Sequence, residues 1–294
     1  MIEKIEGERP LVSICMITYN HDNYIEEAIN GVLSQNVQFD FELIISNDNS
    51  PDNTDVIIKN IIQNHPNGKK INYIKHDKNI GAIPNFHFAF KQAGGKYIAI
   101  CEGDDFWIDP LKLQKQISFL EENSDYAASF HEVDMLFNDK KIPFSKYRNN
   151  NINNAVYFKD VVSNDWLIPT CSFVFRKNKM VIPPFYEEFN YGDYPLFCCI
   201  LINSKAQYLN ESMAVYRRNN SGSLTNTIRT FGHLKVSADY IKLLNWLNKY
   251  ADDKDKSFIE SRINKEIENI NNQIEIYKNS RLIKTYSSLR KWVK

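Results

Sequence analysis

Apolar residues in the first part of the chain come in short unbroken runs, separated by stretches where they recur every three or four positions. Leu11 to Ile17 (LVSICMI), Phe41 to Ser46, Ile71 to Lys75 and Tyr97 to Cys101 are too short for buried helices and lie close to turn-forming residues, which predicts strands. After the first run, Ile25, Ala28, Ile29, Val32 and Leu33 fall at the i, i+3, i+4, i+7, i+8 spacing of a helix, with Asp22, Glu26 and Glu27 where the helix dipole favours acid. Thr54 or Asp55 caps a second helix with Val56, Ile57, Ile61 and Ile62 on its face. Ile83 to Ala93 is a third, closed by Gly94, and a fourth begins near Leu111 behind Asp109 and Pro110. Strands and helices alternating in this way imply right-handed crossovers and an α/β fold whose mostly parallel central sheet has its strand ends on one edge.

Beyond Glu122 the alternation stops. Tyr126 to Phe137, Ala155 to Val161 and Thr170 to Arg176 are strand-like, and the Asn- and Lys-rich segment between the first two is expected to be a loop. Gly192-Asp193-Tyr194-Pro195 opens an apolar helix, Leu196 to Ile202. From about Thr230 the pattern is helical, with Val236, Tyr240, Leu243, Leu244 and Leu247 on one face, followed by Phe258 to Tyr277. The expected organisation is a domain over residues 1–229, with halves of about 1–122 and 123–229, and a C-terminal helical extension over 230–294.

Composition narrows the function classes. The 294 residues are 43% hydrophobic, enough for a substantial core, and the formal net charge is zero, which gives no electrostatic case for nucleic acid as a partner. Cys15, Cys101, Cys171, Cys198 and Cys199 lie mostly in apolar runs without zinc-finger spacing, as structural thiols in a reducing compartment would. The first residues, MIEKIEGERP, are charged where a signal peptide is apolar, and Leu196 to Ile202 falls far short of the roughly 20 residues of a membrane span. A cytoplasmic location follows as the expectation.

The chemistry concentrates at the shared sheet edge. The run Tyr97 to Cys101 ends in Glu102, Asp104 and Asp105, three carboxylates at the carboxyl end of a strand, where open α/β sheets place ligands. Crowded like charges are costly without a positive group, and Mn2+ or Mg2+, sharing these oxygens with substrate phosphates, would supply it. Read alone, the same residues also suit a solvated turn before a helix capped by Asp109. Tyr19 follows the first strand, and Asp48 sits in the turn Asn47-Asp48-Asn49-Ser50-Pro51 after the second. Together the three loops offer an aromatic face, a carboxylate acceptor and a cation site, suited to a nucleobase, a ribose and a diphosphate. No GxGxxG follows the first strand and no GxxxxGK[ST] occurs, which argues against a dinucleotide and a Walker-type ATPase.

At this point the pattern resembles the family 2 glycosyltransferases of the GT-A fold. The matching stretches are VSICMITYN (Val12 to Asn20), the Ser-Gln of VLSQ (Val32 to Gln35), ELIISNDNSPDNT (Glu42 to Thr54), KNIGAIPN (Lys78 to Asn85), GGKYIAICEGDDFWIDPLKL (Gly94 to Leu113) and GDYPLF (Gly192 to Phe197). The resemblance spans about the first 220 residues and implies an inverting, metal-dependent enzyme that uses a nucleotide-diphosphate sugar, a UDP-sugar first among them. It implies that Tyr19 packs on the base and that Asp48, matching the second acid of the usual DDGS turn, bonds the base or ribose. Thr18, Asn20 and Asn79 join them around the nucleotide sugar. Asp104 and Asp105 fall at the DxD region, one toward ribose and one toward the metal, with the assignment between them open. Two positions depart from the pattern: Asn47 replaces the first acid of the DDGS turn, and Asn219 stands where relatives have the histidine of a YRxH stretch, here Tyr216-Arg217-Arg218-Asn219.

Asp193, which on its own reads as a helix cap, is implied by the resemblance to be the base that takes the acceptor's proton. His131 and Arg176 lie in the same half and are read either as site residues or as a buried histidine and a surface arginine. The expected product is a lengthened bacterial surface glycan built on a glycan or lipid-linked acceptor. The competing readings are a sugar nucleotidyltransferase, which would carry a Gly-rich basic loop where this chain has Thr18-Tyr19-Asn20-His21, and a nucleotide-binding scaffold without turnover.

The end of the chain, Lys278 to Lys294, holds Lys278, Arg281, Lys284, Arg290, Lys291 and Lys294, no acid, and interleaved Leu282, Ile283, Tyr286, Leu289, Trp292 and Val293. Such a segment suits peripheral contact with an anionic membrane, or packing on its own domain or on a second subunit of a homo-oligomer. Liposome sedimentation separates these readings. Membrane contact predicts pelleting that needs anionic lipid, weakens with salt and is lost on deleting Lys278 to Lys294, whereas unchanged pelleting of the deletion removes that reading.

Overall fold

A computed structural model of the protein describes residues 9–137, 140–145, 154–164, 167–218 and 233–279. Asn219 and residues 280–294 of the basic tail lie outside the described residues. The four predicted strands form β1 (Val12–Thr18), β2 (Phe41–Asn47), β3 (Ile71–Lys75) and β4 (Tyr97–Ile100), parallel in the order β3-β2-β1-β4. Between them run α1 (Ile25–Leu33), α2 (Thr54–Asn64) and α3 (Ala82–Gln92). β1, β2 and β4 are buried and largely apolar on both faces because helices cover both, whereas β3, at the sheet edge, is half-buried. Ile14, Met16, Leu43 and Ile45 face a core shared with α1 and α2, while Cys15, Ile44, Ile98 and Ile100 face one shared with α3.

After β5 (Phe106–Trp107) and α4 (Lys112–Glu122) the sheet continues in mixed directions through β6 (Ala128–Phe137), β7 (Lys140–Pro143), β8 (Ala155–Tyr157), α5 (Phe158–Ser163), β9 (Val174–Arg176), α6 (Asp193–Leu201) and β10 (Lys205–Arg217). The full order is β3-β2-β1-β4-β9-β6-β10-β5, with β7 beside β6 and β8 beside β10. Two helices follow, α7 (His233–Leu247) and α8 (Asp253–Asn279). Leu243, Leu244, Leu247 and Ile259 enter the same core as Tyr194, Leu196 and Phe197 of α6.

Three local expectations change. Ala155 to Val161 is a strand only to Tyr157, because Asp160 accepts the Tyr157 N–H at 2.9 Å and starts α5. Thr170 to Arg176 begins as a 3-10 turn, in which Ser172 donates its N–H and its hydroxyl to the Pro169 carbonyl at 3.0 and 2.6 Å. On α2, Ile58 and Ile61 are buried, whereas Val56 is 64% exposed. The five cysteines are buried and unpaired, and no described helix is long and apolar enough to cross a membrane.

One core residue breaks the hydrophobic rule. Lys112 of α4 is fully buried, donating to Gln116 Oε1 at 2.8 Å with its ammonium 3.9 Å over the Trp107 ring. The ring favours the charged form, yet lost hydration is the larger effect, and burial lowers the Lys112 pKa to about 7. Gln116, so oriented, donates its amide to the Ser129 and Ser172 carbonyls at 3.1 and 3.0 Å, tying α4 to β6 and to the turn before β9. Below about pH 7 both folded and unfolded chains hold the Lys112 proton and the burial penalty is full; between pH 7 and the ordinary value of 10.5 the unfolded chain binds more protons, so stability rises with pH. Urea unfolding should therefore show the parent gaining on a Lys112→Met variant by up to about 1.4 kcal/mol per pH unit in this window. Parallel pH curves would refute it.

Candidate active site

The ends of β1, β2 and β4 meet as the topology requires, and their loops are stitched together. After β1, Asn20 adopts a left-handed turn (φ 60°) and donates its N–H to Ser50 Oγ at 3.1 Å, while the His21 N–H reaches Thr54 Oγ1 at 3.1 Å. The turn exposes Tyr19 at 43%, leaving its ring open to a ligand. Asp48 is 2% exposed, and its two oxygens accept the N–H groups of Ile80 and Gly81 at 2.7 and 2.9 Å. It thereby holds the loop with Asn79, which Gly81 turns at a φ of 92°.

Asn47, the departure in the turn after β2, has a physical explanation. Its Oδ1 accepts the Ser50 N–H at 2.9 Å, and its Nδ2 donates to the Tyr73 hydroxyl at 2.9 Å, which in turn donates to Asp55 at 2.7 Å. A carboxylate at 47 would supply no donor for the second link.

After β4 the chain turns sharply. Gly103 donates its N–H to the Ile17 carbonyl at 2.9 Å, so close to Thr18 that a Cβ there would meet the Thr18 side chain at 2.9 Å. Glu102, Asp104 and Asp105 are thus pressed onto the end of β1. Burial first, and then the neighbouring Asp105, raises the Glu102 pKa well above the usual range; burial and Asp104 do the same to Asp105. Arg217, at the end of β10, answers this charge. Its N–H reaches Asp105 Oδ1 at 2.8 Å and its Nη1 the Asp104 carbonyl at 2.7 Å. Its guanidinium pairs with Glu27 and packs over Phe106, 4.3 Å from the ring centre. Sequence reasoning passed over Arg217, although the acidic cluster called for a cation and the arginine stands in the stretch compared with YRxH.

Asp193 stands at the start of α6, half-buried. Its Oδ1 accepts the Tyr194 N–H at 2.8 Å and its Oδ2 the Thr170 hydroxyl at 3.3 Å. Burial raises its pKa above the ordinary carboxylate value, which makes it a stronger base.

One cleft of about 340 Å³, the size of a small-ligand site, gathers these groups: Thr18, Tyr19, Asp48, Asn79, Asp104, Asp105 and Asp193 all line it. Glu102, His21 and Thr170 join them, with Phe144, Ile168, Tyr191 and Tyr216 forming an apolar wall. Asn20 does not line the cleft and shapes the turn beside it. His131 is fully buried with Nδ1 2.7 Å from the Glu132 carbonyl, and Arg176 binds the Tyr126 carbonyl and Tyr97 hydroxyl at 2.8 Å each, so both act within the scaffold. Glu187 and Glu188 pair with His87 and Lys242, away from the cleft lining.

Among the described residues no three His, Cys, Asp or Glu side chains are placed to hold a metal by themselves. The donors present nevertheless fit a hard cation that also takes phosphate oxygens. Glu102 Oε2 and Thr18 Oγ1 are buried beside Asp104 and Asp105 without a hydrogen-bond partner.

Comparison with known proteins bears on the family and the fold. The chain is 32% identical over 219 residues to an uncharacterized protein, Rv1520, of Mycobacterium tuberculosis, covering 72% of this chain and 60% of that protein's length. It is 27% identical over 72% of its length to 23% of the minor teichoic acid biosynthesis protein GgaB of Bacillus subtilis. Among solved structures, S. aureus TarS 1-349 in complex with UDP-GlcNAc superposes with a TM-score of 0.64 at 17% identity, covering 87% of this chain and 71% of that one. The mannosyltransferase PcManGT from Pyrobaculum calidifontis, in complex with GDP-Man and Mn2+, gives 0.60 at 13% identity, covering 97% and 80%. These likenesses show a shared GT-A architecture. The family description Glycosyl transferase family 2 matches residues 13–180, more than half of the sequence and running from within β1 past β9, and the chain belongs to that family.

Proposed function

We propose that this protein is an inverting glycosyltransferase that moves a sugar from a UDP-sugar to a hydroxyl of a glycan or lipid-linked acceptor in bacterial surface polysaccharide synthesis. The observation that carries the reading is the placement of Asp193 and the Asp104/Asp105 cluster in one cleft with Tyr19 and Asp48. The relation to GgaB supports the polysaccharide setting, and the UDP-GlcNAc held by TarS supports the donor class.

In this reading Tyr19 stacks on the base, and Thr18, Asn79 and the Asn20 turn frame the nucleotide. Asp48 spends one lone pair of each oxygen on Ile80 and Gly81 and keeps the others for a base N–H or ribose hydroxyl. Asp104 and Asp105 hold Mn2+ or Mg2+ and the ribose. A bound cation would neutralise charge on the leaving diphosphate. Asp193 accepts the acceptor hydroxyl's proton as that oxygen bonds to the anomeric carbon, and the bond from that carbon to the diphosphate oxygen breaks with its electron pair leaving on the nucleotide. The apolar wall keeps water, a competing acceptor, from the anomeric carbon.

Titration calorimetry tests the donor site. UDP should bind in Mn2+ and lose most of its signal in EDTA or in Asp105→Ala; equal affinity with and without metal would refute the metal role. The base is tested by Asp193→Asn, since asparagine retains the shape of the helix start but accepts no proton. Transfer should fall 10²- to 10⁴-fold with UDP affinity and melting temperature unchanged. In the parent, burial of Asp193 places the acid limb of kcat/KM above the ordinary carboxylate value of 3.8, so kcat/KM falls as pH drops through that raised midpoint. A rate within about threefold of the parent in Asp193→Asn would move the base elsewhere, to Glu102 as the other acid facing it.

A further inference from the structure

The loop that delivers Asp193 is gripped by the first helix of the C-terminal extension. Tyr240 of α7 packs its ring 4.7 Å from that of Tyr194 and 6.0 Å from that of Tyr191, and those two rings meet edge to face at 6.2 Å. Tyr191 and Tyr194 lie two residues before and one after Asp193, at 6% and 3% exposure. Beside Tyr240, Asp239 Oδ2 accepts the Asn190 amide at 2.9 Å. Two residues further along, Lys242 pairs with Glu188 at 2.6 Å and rests 4.2 Å over the Phe185 ring. The Asp193 carboxylate itself is held by the Thr170 hydroxyl at 3.3 Å and by the N–H of its own neighbour. Its position therefore depends on how the backbone from 190 to 194 is seated. The donor side is braced differently, by Asp48 on the loop at 80–81 and by Arg217 on the turn at 104–105.

We propose that Tyr240, with Asp239, is a positioning residue for Asp193, so that α7 sets turnover without taking part in donor binding. The inference rests on the reading of Asp193 as the base. Tyr191 lines the cleft while Tyr240 packs against its ring, so a shift of α7 moves the cleft wall and the carboxylate together. General-base transfer tolerates such a shift poorly, because the proton must pass to the carboxylate while the attacking oxygen stays in line with the bond that breaks.

The test uses the full chain. Tyr240→Ala should lower kcat about 10- to 100-fold while the UDP dissociation constant and the donor KM stay within about twofold and melting stays cooperative. Tyr240→Phe, which keeps the ring, should restore the parent rate. In an Asp193→Asn background Tyr240→Ala should add no further loss, since both changes act on one step. A parent-like kcat in Tyr240→Ala overturns the proposal, as does a loss of donor affinity in step with kcat or an undiminished loss in the Asp193→Asn background. Should Tyr240→Ala fail to fold, Asn190→Ala, which removes the link to Asp239, is judged by the same three readouts. A parent-like rate in Asp193→Asn alone would instead count against the base assignment, and it is read before the Tyr240 arm.

Discussion

Glu102, Asp104 and Asp105 stand within four residues of one another on the end of a buried strand, and the surrounding protein, unlike water, does little to damp their repulsion. The rest of the cleft is arranged around that cost. Gly103 allows the turn to sit against Thr18, and Arg217 brings a permanent positive charge from the end of β10, three strands along the sheet from β4. A lysine there could not do the same, because the planar guanidinium reaches the Asp104 carbonyl and Glu27 while stacking on Phe106. The irregular register of β10 around Ser212 belongs to the same solution, since a bulge re-aims the residues that follow it.

The first part of the chain was legible because most of its strands are covered on both faces and so appear as short, largely apolar runs. The part beyond α4 was less so. β10 carries Gln207, Asn210 and Glu211 in its middle, and that polar stretch hides a strand of 13 residues. β5 is two residues long and owes its existence to pairing with Ala214 and Val215, over a hundred positions away. Local competition accounts for other differences: Asp160 turned a predicted strand into the start of a helix, and Pro169 received the hydrogen bonds that would have extended β9.

The candidate residues divide in the same way. Tyr19, Asp48, Asp104 and Asp105 sit at strand ends whose pattern points to a ligand, Asp193 stands out only through the family resemblance, and the fold brings all five to one cleft. Arg217 and Thr170 matter through partners far off in sequence, and no spacing rule marks them; helical spacing puts Tyr240 on a core-facing stripe without revealing that Tyr191 and Tyr194 are what it meets. Asn47 lies between these cases. It was visible as a departure, but its meaning required Tyr73 and Asp55, which only the folded chain places beside it.

The parallel pairing of β6 with β10 also bears on how the protein is made. Residues 128–137 wait for residues 205–217, and until those emerge from the ribosome β6 lacks a neighbour on that side and the acids after β4 lack their arginine. Long-range parallel pairs form slowly, and open strand edges invite mispairing with other chains. A product stopped short of Arg217 would hold nearly finished parallel strands β1 to β4 with an uncompensated acidic mouth. Assembly of this cleft is therefore tied to completion of translation through the last strand, and the nascent chain is most exposed to aggregation and proteolysis in the interval just before it.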